Sequence, residues 1–242
     1  MSSAIPGQGM PVPGSAPRSS PVARISRGAL TGNARIAWDR GIRSFDSSVL
    51  EADAWGHGAA LVEGVLVTAG FTRDEHAPAA YGSGGANHAM AAPARPVLTP
   101  SQLLGMPGTA ATPALRLSGA VLSVKHLRAG EGVSYGYAYR AEHDTRVALV
   151  TGGYAQGVVR SLGGAVDVAI AAERHPIVGR VAMDVCVVEI GDSVVHRGDE
   201  VLLLGDAAAG EPSLAEWVDA TGMYAFELVT TVGLRAIRED AP

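Results

Sequence analysis

The residues best suited to chemistry lie in two short blocks of the C-terminal half. Tyr154 follows two glycines in GGYAQGVVR, and Met183 and Asp184 close the block PIVGRVAMD. A phenol has a reference pKa of about 10, so a tyrosine acts as a proton-transfer base only where its surroundings lower that value. Spacing alone favours an ordinary half-buried aromatic at a strand end for Tyr154, and a turn between two strands fits Met183 and Asp184 equally well.

Composition argues against several other kinds of site. The chain has 24 Asp and Glu against 19 Lys and Arg, with 5% aromatic residues. A nucleic-acid binder would instead show a basic face and aromatic stacking platforms. The seven histidines are scattered and Cys186 is the only cysteine. We therefore expect no metal site and no internal disulfide, in keeping with a reducing compartment.

The sequence predicts neither a membrane span nor a signal peptide. The most apolar stretch, residues 59–71, carries Glu63 and is shorter than the roughly 20 residues that a span requires. Residues 1–22 are rich in Pro, Gly and Ser and lack a continuous apolar core. They predict a disordered tail, and we expect the protein in the cytoplasm.

Residues 23–71 alternate between strand and helix patterns. VARIS and SSVLEA are typical of short strands, and Ala29–Trp38 and Ala59–Thr68 are typical of helices. This order indicates a parallel α/β architecture. Residues 72–113 then form a connector rich in Gly, Ala and Pro, which we expect to be mostly irregular.

Residues 114–242 predict a mainly β domain. Its Val-, Ile- and Leu-rich segments are GAVLSVKHL, RVALVTG, AVDVAIA, VCVVEI and EVLLLG. Their near-regular spacing favours a small barrel or sandwich. One helix is expected among them, because Ser213 and Glu216 form a capping box and Gly222 can end the helix. The chain is then expected to return to a strand through YAFELVTTV.

Five blocks, in this order, resemble the C-terminal domain of the alanine racemase family. They are GEGVSYGYAYRAE, GGYAQGVVR, PIVGRVAMDVCVVEI, GDEVLLLG and AFELVTTVGLRAIR. In addition, VLEADAWGHGAALV at residues 49–62 is similar to the segment that ends the first inner strand of that family's barrel. The resemblance implies a small β-barrel domain preceded by an incomplete α/β (TIM-barrel) remnant. Because a complete barrel needs about 250 residues, residues 23–113 provide only two or three βα units, which we expect to be loosely structured at best.

The resemblance also implies a chemistry. Alanine racemases interconvert L-alanine and D-alanine with pyridoxal phosphate, which delocalises the carbanion left when the Cα proton is removed. By resemblance, Tyr154 is the base that one β-domain donates to the partner subunit's site in a dimer. Met183 and Asp184 correspond to the loop whose methionine N–H meets the substrate carboxylate.

Three positions depart from the family pattern. Glu51 stands where the family has the lysine that binds the cofactor as a Schiff base. Phe226 stands where it has a tyrosine that contacts the phosphate, and Tyr224 would face the same side of a strand and partly replace it. Gln156 stands where an aspartate is usual.

Three functions follow from this pattern: a working racemase, a non-catalytic partner, and a remnant without a role. The missing lysine argues against the first, and the sequence does not separate the other two. We therefore expect family membership, in a reaction that supplies D-alanine for the cell wall, with activity impaired or absent in this chain alone. The alternative is an accessory or dimerisation domain that docks on a full-length racemase.

Glu51 generates a direct prediction. A carboxylate forms no aldimine, so pyridoxal phosphate should leave no covalent adduct in the peptide from Val49 to Gly58, even at high cofactor concentration. Borohydride reduction followed by peptide mass mapping is the measurement. A pyridoxyl group in that peptide would contradict the alignment of Glu51 with the family's lysine.

Overall fold

The structure, a computed structural model, describes residues 19–74 and 96–242 apart from Tyr135. Most of the tail expected over residues 1–22 and the centre of the connector expected over residues 72–113 lie outside the described residues. Within the described part, no helix has the length and apolar character needed to cross a membrane. The same part contains no group of three or more His, Cys, Asp or Glu side chains placed to hold a metal ion.

The N-terminal half is a short α/β unit. Its elements are β1 Val22–Ser26, α1 Arg27–Asp39, β2 Ser44–Asp46, α2 Glu51–Trp55, α3 Ala59–Thr68, β3 Thr72–Asp74 and α4 Pro100–Leu104. The predicted strand VARIS and the helix Ala59–Thr68 are both present with those bounds. Helix α1 begins where the Ser26 hydroxyl accepts the Ala29 N–H, and α4 begins at a capping box between Thr99 and Gln102.

Three parallel segments lie side by side in this unit. Strand β2 pairs with β3 in parallel, and Phe45 of β2 forms a parallel bridge with Leu98 on its other edge. Leu30 of α1 and Leu66 of α3 are fully buried in the same core cluster as Leu98. This cluster continues into the C-terminal half, so the expectation of a loosely structured remnant is wrong for the described residues.

The C-terminal half contains the remaining strands. They are β4 Leu115–Leu127, β5 Gly132–Val133, β6 Tyr139–Arg140, β7 Thr145–Thr151, β8 Asp167–Ile170, β9 Glu173–Val178, β10 Val185–Glu189, β11 Glu200–Leu204 and β12 Ile237–Ala241. Six of them pair in the order β11-β8-β9-β10-β7-β4, and β4 pairs back to β11. All of these pairings are antiparallel. The result is a closed six-stranded barrel, as the sequence predicts.

The first and last strands extend the barrel sheet. Strand β1 pairs with β4 in antiparallel fashion and with β12 in parallel. The Arg24 guanidinium of β1 donates to the hydroxyl of Ser118 on β4 and to the carboxylate of Glu200 on β11. Both ends of the described chain are therefore attached to the barrel.

Two expected strands are wrong. No strand forms at SSVLEA, residues 47–52. Strand β2 ends just before it, because the Asp46 carboxylate accepts the Ser48 N–H and starts a 3-10 turn over Ser47–Leu50. The strand expected through YAFELVTTV is helix α6, Ala225–Arg235, which follows the capped helix α5, Leu214–Thr221. The apolar residues Phe226, Val229 and Val232 recur at helical spacing on its buried face.

A close backbone contact joins the two halves and can be tested. A Cβ on Gly233 of α6 would overlap the Gly56 carbonyl, whereas a Cβ on Gly64 of α3 would meet nothing within 4 Å. Gly233→Ala should therefore lower the free energy of unfolding by about 1–3 kcal/mol through steric strain. Gly64→Ala, the matched helical control, should raise it by about 0.5–1 kcal/mol. Urea unfolding of both variants is the measurement, and equal effects would contradict the close contact.

Candidate functional site

The loop after β7 presents Tyr154 at the barrel surface. The loop makes a 3-10 turn over Tyr154–Gln156 and ends at Gly157, which has a φ of 92°. Tyr154 is 41% exposed, and the guanidinium carbon of Arg160 lies 5.9 Å from its ring centroid. Tyr154 is thus accessible and lies beside a cation, and its ring is not part of the barrel core.

The turn between β9 and β10 lies directly against this loop. The Tyr154 N–H donates to the Ala182 carbonyl, and the Ala155 N–H donates to the Met183 carbonyl, both at 2.9 Å. A Cβ on Gly153 would overlap the Met183 carbonyl, which explains the glycine at that position. The structure therefore brings together Tyr154, Met183 and Asp184, which the sequence singled out separately, and the Met183 side chain is exposed.

The segment that carries Glu51 has an unusual backbone. Glu51 is exposed at the start of α2, and residues 52–55 have φ values of 47–55°, in the left-handed helical region. Four consecutive non-glycine residues in this region cost about 1–2 kcal/mol each, so the surrounding structure must hold them. The backbone then reaches Gly56, which packs against Gly233 of α6.

Asp53 and Trp55 anchor this left-handed turn. The Asp53 carboxylate accepts the Ala59 N–H at 2.7 Å and pairs with the Arg238 guanidinium at 2.6 Å. The hydrogen bond from Ala59 holds the pKa of Asp53 below its usual value, and the Arg238 pair adds to this effect. The Trp55 indole N–H donates to the Ser48 carbonyl at 2.8 Å. These contacts fix the segment on which Glu51 stands.

His57 is buried behind the same turn. Its Nδ1 lies 3.1 Å from the carbonyls of Ala54 and Trp55, which assigns the ring proton to Nδ1. Its Nε2 is buried with no hydrogen-bond partner among the described residues. Burial lowers the pKa of His57 to about 4. The ring is therefore neutral at pH 7 and packs as part of the interior.

The aromatic residues at the start of α6 do not share one face. Phe226 is buried, and its ring centroid lies 4.5 Å from that of Trp55. Tyr224 precedes the helix and is 76% exposed. The expectation that both face the same side of a strand is wrong, because the segment is helical. Tyr224 is therefore not placed to substitute for a side chain at position 226.

Helix α6 links the Glu51 turn to the Tyr154 loop. Gly56 packs against Gly233, and Gly157 packs so tightly against Val232 that a Cβ at position 157 would lie 2.8 Å from the Val232 nitrogen. Sequence reasoning missed this common support because it interpreted the segment as a strand. The helical spacing of its apolar residues was the signal that could have revealed it.

His57 generates a prediction about pH and stability. Its pKa is lower in the folded chain than the reference value of about 6.5, so the unfolded chain binds more protons below that pH. Neutral, buried His57 therefore makes its full contribution to the free energy of unfolding above about pH 6.5. Of this contribution, about 2–3 kcal/mol is lost as the pH falls towards 4. Urea unfolding at pH 7 and pH 4.5 measures this slope.

Two variants provide the controls for this slope. His57→Gln should reduce the pH dependence, although it also lowers stability at pH 7, whereas replacement of the exposed His143 with Gln should preserve the wild-type slope. An NMR titration that places the pKa of His57 near 6.5 would contradict the burial argument.

Comparisons with known proteins agree with this architecture. A family model described as "Alanine racemase, C-terminal domain" matches residues 114–239. The alanine racemase of Mycobacterium leprae is 48% identical over 128 residues, which make up 52% of this chain and 33% of that protein. The alanine racemase of Thermobifida fusca is 41% identical over 141 residues, 58% of this chain and 37% of that protein. The matched region thus spans about a third of the length of these relatives.

Solved structures show the same fold. The alanine racemase from Streptomyces coelicolor A3(2) has a TM-score of 0.75 over 92% of this chain and 98% of that chain, with 19% identity, a likeness of fold alone. The alanine racemase of Clostridium difficile 630, in complex with cycloserine, is 28% identical with a TM-score of 0.54, over 60% of this chain and 40% of that chain. Since the family model covers more than half of the sequence, the chain belongs to the alanine racemase family through its C-terminal domain.

Proposed function

We propose that this chain is an alanine racemase homologue whose barrel supplies one half of a racemase site, and that it does not interconvert L-alanine and D-alanine alone. The proposal rests on Glu51, a carboxylate at the position where the resemblance places the family's Schiff-base lysine. It is exposed at the start of the left-handed turn, at a position fixed by the Asp53–Arg238 ion pair. The reaction, if completed by a partner, belongs to the supply of D-alanine for the cell wall.

The residues present do not fit covalently bound pyridoxal phosphate. The aldehyde needs an amine, and Lys125, on the exposed side of strand β4, is the only lysine in the sequence. Phe226 packs in the interior against Trp55, so its ring does not face a ligand. The described α/β unit offers three parallel segments, which do not close a barrel around a cofactor. We therefore assign no catalytic step in this chain to that cofactor.

The Tyr154 loop and the Met183–Asp184 turn are the part of a racemase site that the chain retains. Among the described tyrosines of the barrel, Tyr139 is a poor base, because burial and the hydrogen bond to Glu189 raise its pKa to about 12. Tyr154 is accessible and hydrogen-bonded through its backbone to the neighbouring turn. Because the resemblance also places the family's base at this position, Tyr154 is our candidate base, and the exposed turn of Met183 and Asp184 is our candidate contact for the substrate carboxylate.

A second candidate function is that of an accessory subunit. The exposed side chains of Tyr154 and Met183 lie on adjacent loops at one surface of the barrel. In the family, this domain completes the site of the other subunit in a dimer. A chain with this surface, whose described α/β unit has three parallel segments, can therefore serve a full-length racemase that contributes the cofactor-binding half. Apolar and aromatic side chains of this kind are enriched at protein interfaces.

A mixing experiment tests both functions. The purified chain with pyridoxal phosphate should give no D-alanine from L-alanine above the buffer rate. When it is mixed with a full-length alanine racemase whose catalytic tyrosine has been removed, racemisation should be restored at least tenfold, because the barrel supplies the missing base. Chiral chromatography measures the product, and size-exclusion chromatography measures the complex.

Tyrosine and lysine variants show which groups act. Tyr154→Phe should abolish the rescue without loss of the complex. Tyr135→Phe is the comparison, since Tyr135 belongs to the block VSYGYAY and lies outside the described residues; loss of rescue with this variant alone would move the base to that block. Lys125→Arg should leave the rescue unchanged, since the partner supplies the amine. Failure of the native chain either to rescue or to co-elute would contradict the accessory function.

A further inference from the structure

The side chain of Gln156 bridges the two loops of the candidate site. Its Oε1 accepts the Gly153 N–H at 3.0 Å, at the start of the Tyr154 turn. Its Nε2 donates to the Asp184 carboxylate at 2.9 Å, across to the turn between β9 and β10. One half-buried amide therefore contacts both segments, which are separated by 28 positions in the sequence.

The bridge uses the two different ends of an amide. The bridge requires an acceptor for the Gly153 N–H and a donor to the Asp184 carboxylate, and the amide of Gln156 supplies both. An ionised carboxylate at position 156 has acceptors only, so it would keep the contact to Gly153 and meet Asp184 as a like charge about 3 Å away. The chemistry of the bridge thus distinguishes glutamine from the acidic residue that the family pattern has at this position.

Two backbone hydrogen bonds connect the same two segments as the Gln156 bridge. The Tyr154 and Ala155 N–H groups donate to the Ala182 and Met183 carbonyls, and so cross between the same two segments. If the amide bridge opens, these backbone bonds are the next contacts that hold Tyr154 beside Met183. Their exchange with solvent therefore measures how firmly the loops are joined.

We propose that Gln156 is a positioning residue, which fixes the Tyr154 loop against the Met183–Asp184 turn through its contact with Asp184. Its relevance to racemisation rests on the proposed function above, whereas the bridge itself does not. Gln156 touches neither substrate nor cofactor in this scheme. It acts by holding the exposed tyrosine and the exposed turn in one fixed arrangement.

Hydrogen exchange of the full chain at pH 7 tests the bridge. Gln156→Glu should speed exchange of the Tyr154 and Ala155 amides by about fivefold or more, because the introduced carboxylate repels Asp184. Gln156→Met, which keeps the shape without polar atoms, should have a similar but smaller effect. The Val188 amide, in a barrel strand, should keep its wild-type rate, and the thermal midpoint should stay within about 2 °C in every variant.

A reversed pair gives the decisive comparison. In the double variant Gln156→Glu with Asp184→Asn, the carboxylate and the amide exchange places, and the donor at position 184 again meets an acceptor at position 156. Exchange of the Tyr154 and Ala155 amides should return to within about twofold of the wild type. Wild-type exchange in Gln156→Glu, or no recovery in the double variant, would overturn the proposal.

The rescue assay adds a functional readout. If the native chain restores racemisation to the tyrosine-deficient racemase, Gln156→Glu should lower that rescue, whereas Lys125→Arg should not. If the native chain restores nothing, the proposed function fails while the exchange experiment still tests the bridge. The two inferences can therefore fail separately.

Discussion

Strand β4 holds the structure together because it pairs with several neighbours along its 13 residues. Its first half pairs with β11 and with β1, and its second half pairs with β7. The other five barrel strands form a row that begins at β11 and ends at β7. Because β4 pairs with both of these strands, it closes the barrel and leaves the row without a free edge. The pairing of β4 with β7 shifts its register between Val121 and Ser123. This irregularity bends β4 close to the point where its pairing with β7 begins. The N-terminal unit is attached to this same strand through β1.

The sequence predicted those parts of the fold in which local preference and tertiary packing agree. The helix Ala59–Thr68 and the capping box of Ser213 were recognised because apolar spacing and cap residues point to the same element. Helix α6 was missed because Val and Thr dominate its middle and suggest a strand when read in isolation. Strand β9 was not recognised as a strand because Pro176 interrupts its pattern, although this strand pairs across that position.

The site was predictable to the extent that it depends on sequence blocks. Tyr154, Met183 and Asp184 stand in recognisable motifs, and the structure brings them together. The contact between Gln156 and Asp184 depends instead on the reach of one side chain across two loops, which spacing along the chain does not encode. The left-handed turn was equally hidden, because residues 52–55 contain no glycine to signal positive φ. Two features beside the turn were hidden for the same reason. The ion pair of Asp53 is made with Arg238, which is distant in the sequence, and the burial of the His57 ring depends on the folded structure.

The order of the parallel segments has a consequence for the length of chain that can join them. In a closed ring of parallel strands, the first strand lies between the second strand and the last one. Strand β2 has the same kind of arrangement, with β3 on one edge and the Leu98 segment on the other. Two strand spacings, about 10 Å, separate these edges, a gap that a handful of extended residues can span. Lengthening such a connection is cheap, since each doubling of a loop costs only about 0.6 kcal/mol. Connections of very different length between β3 and Leu98, including ones that add βα units, are therefore compatible with the same barrel and the same Tyr154 surface.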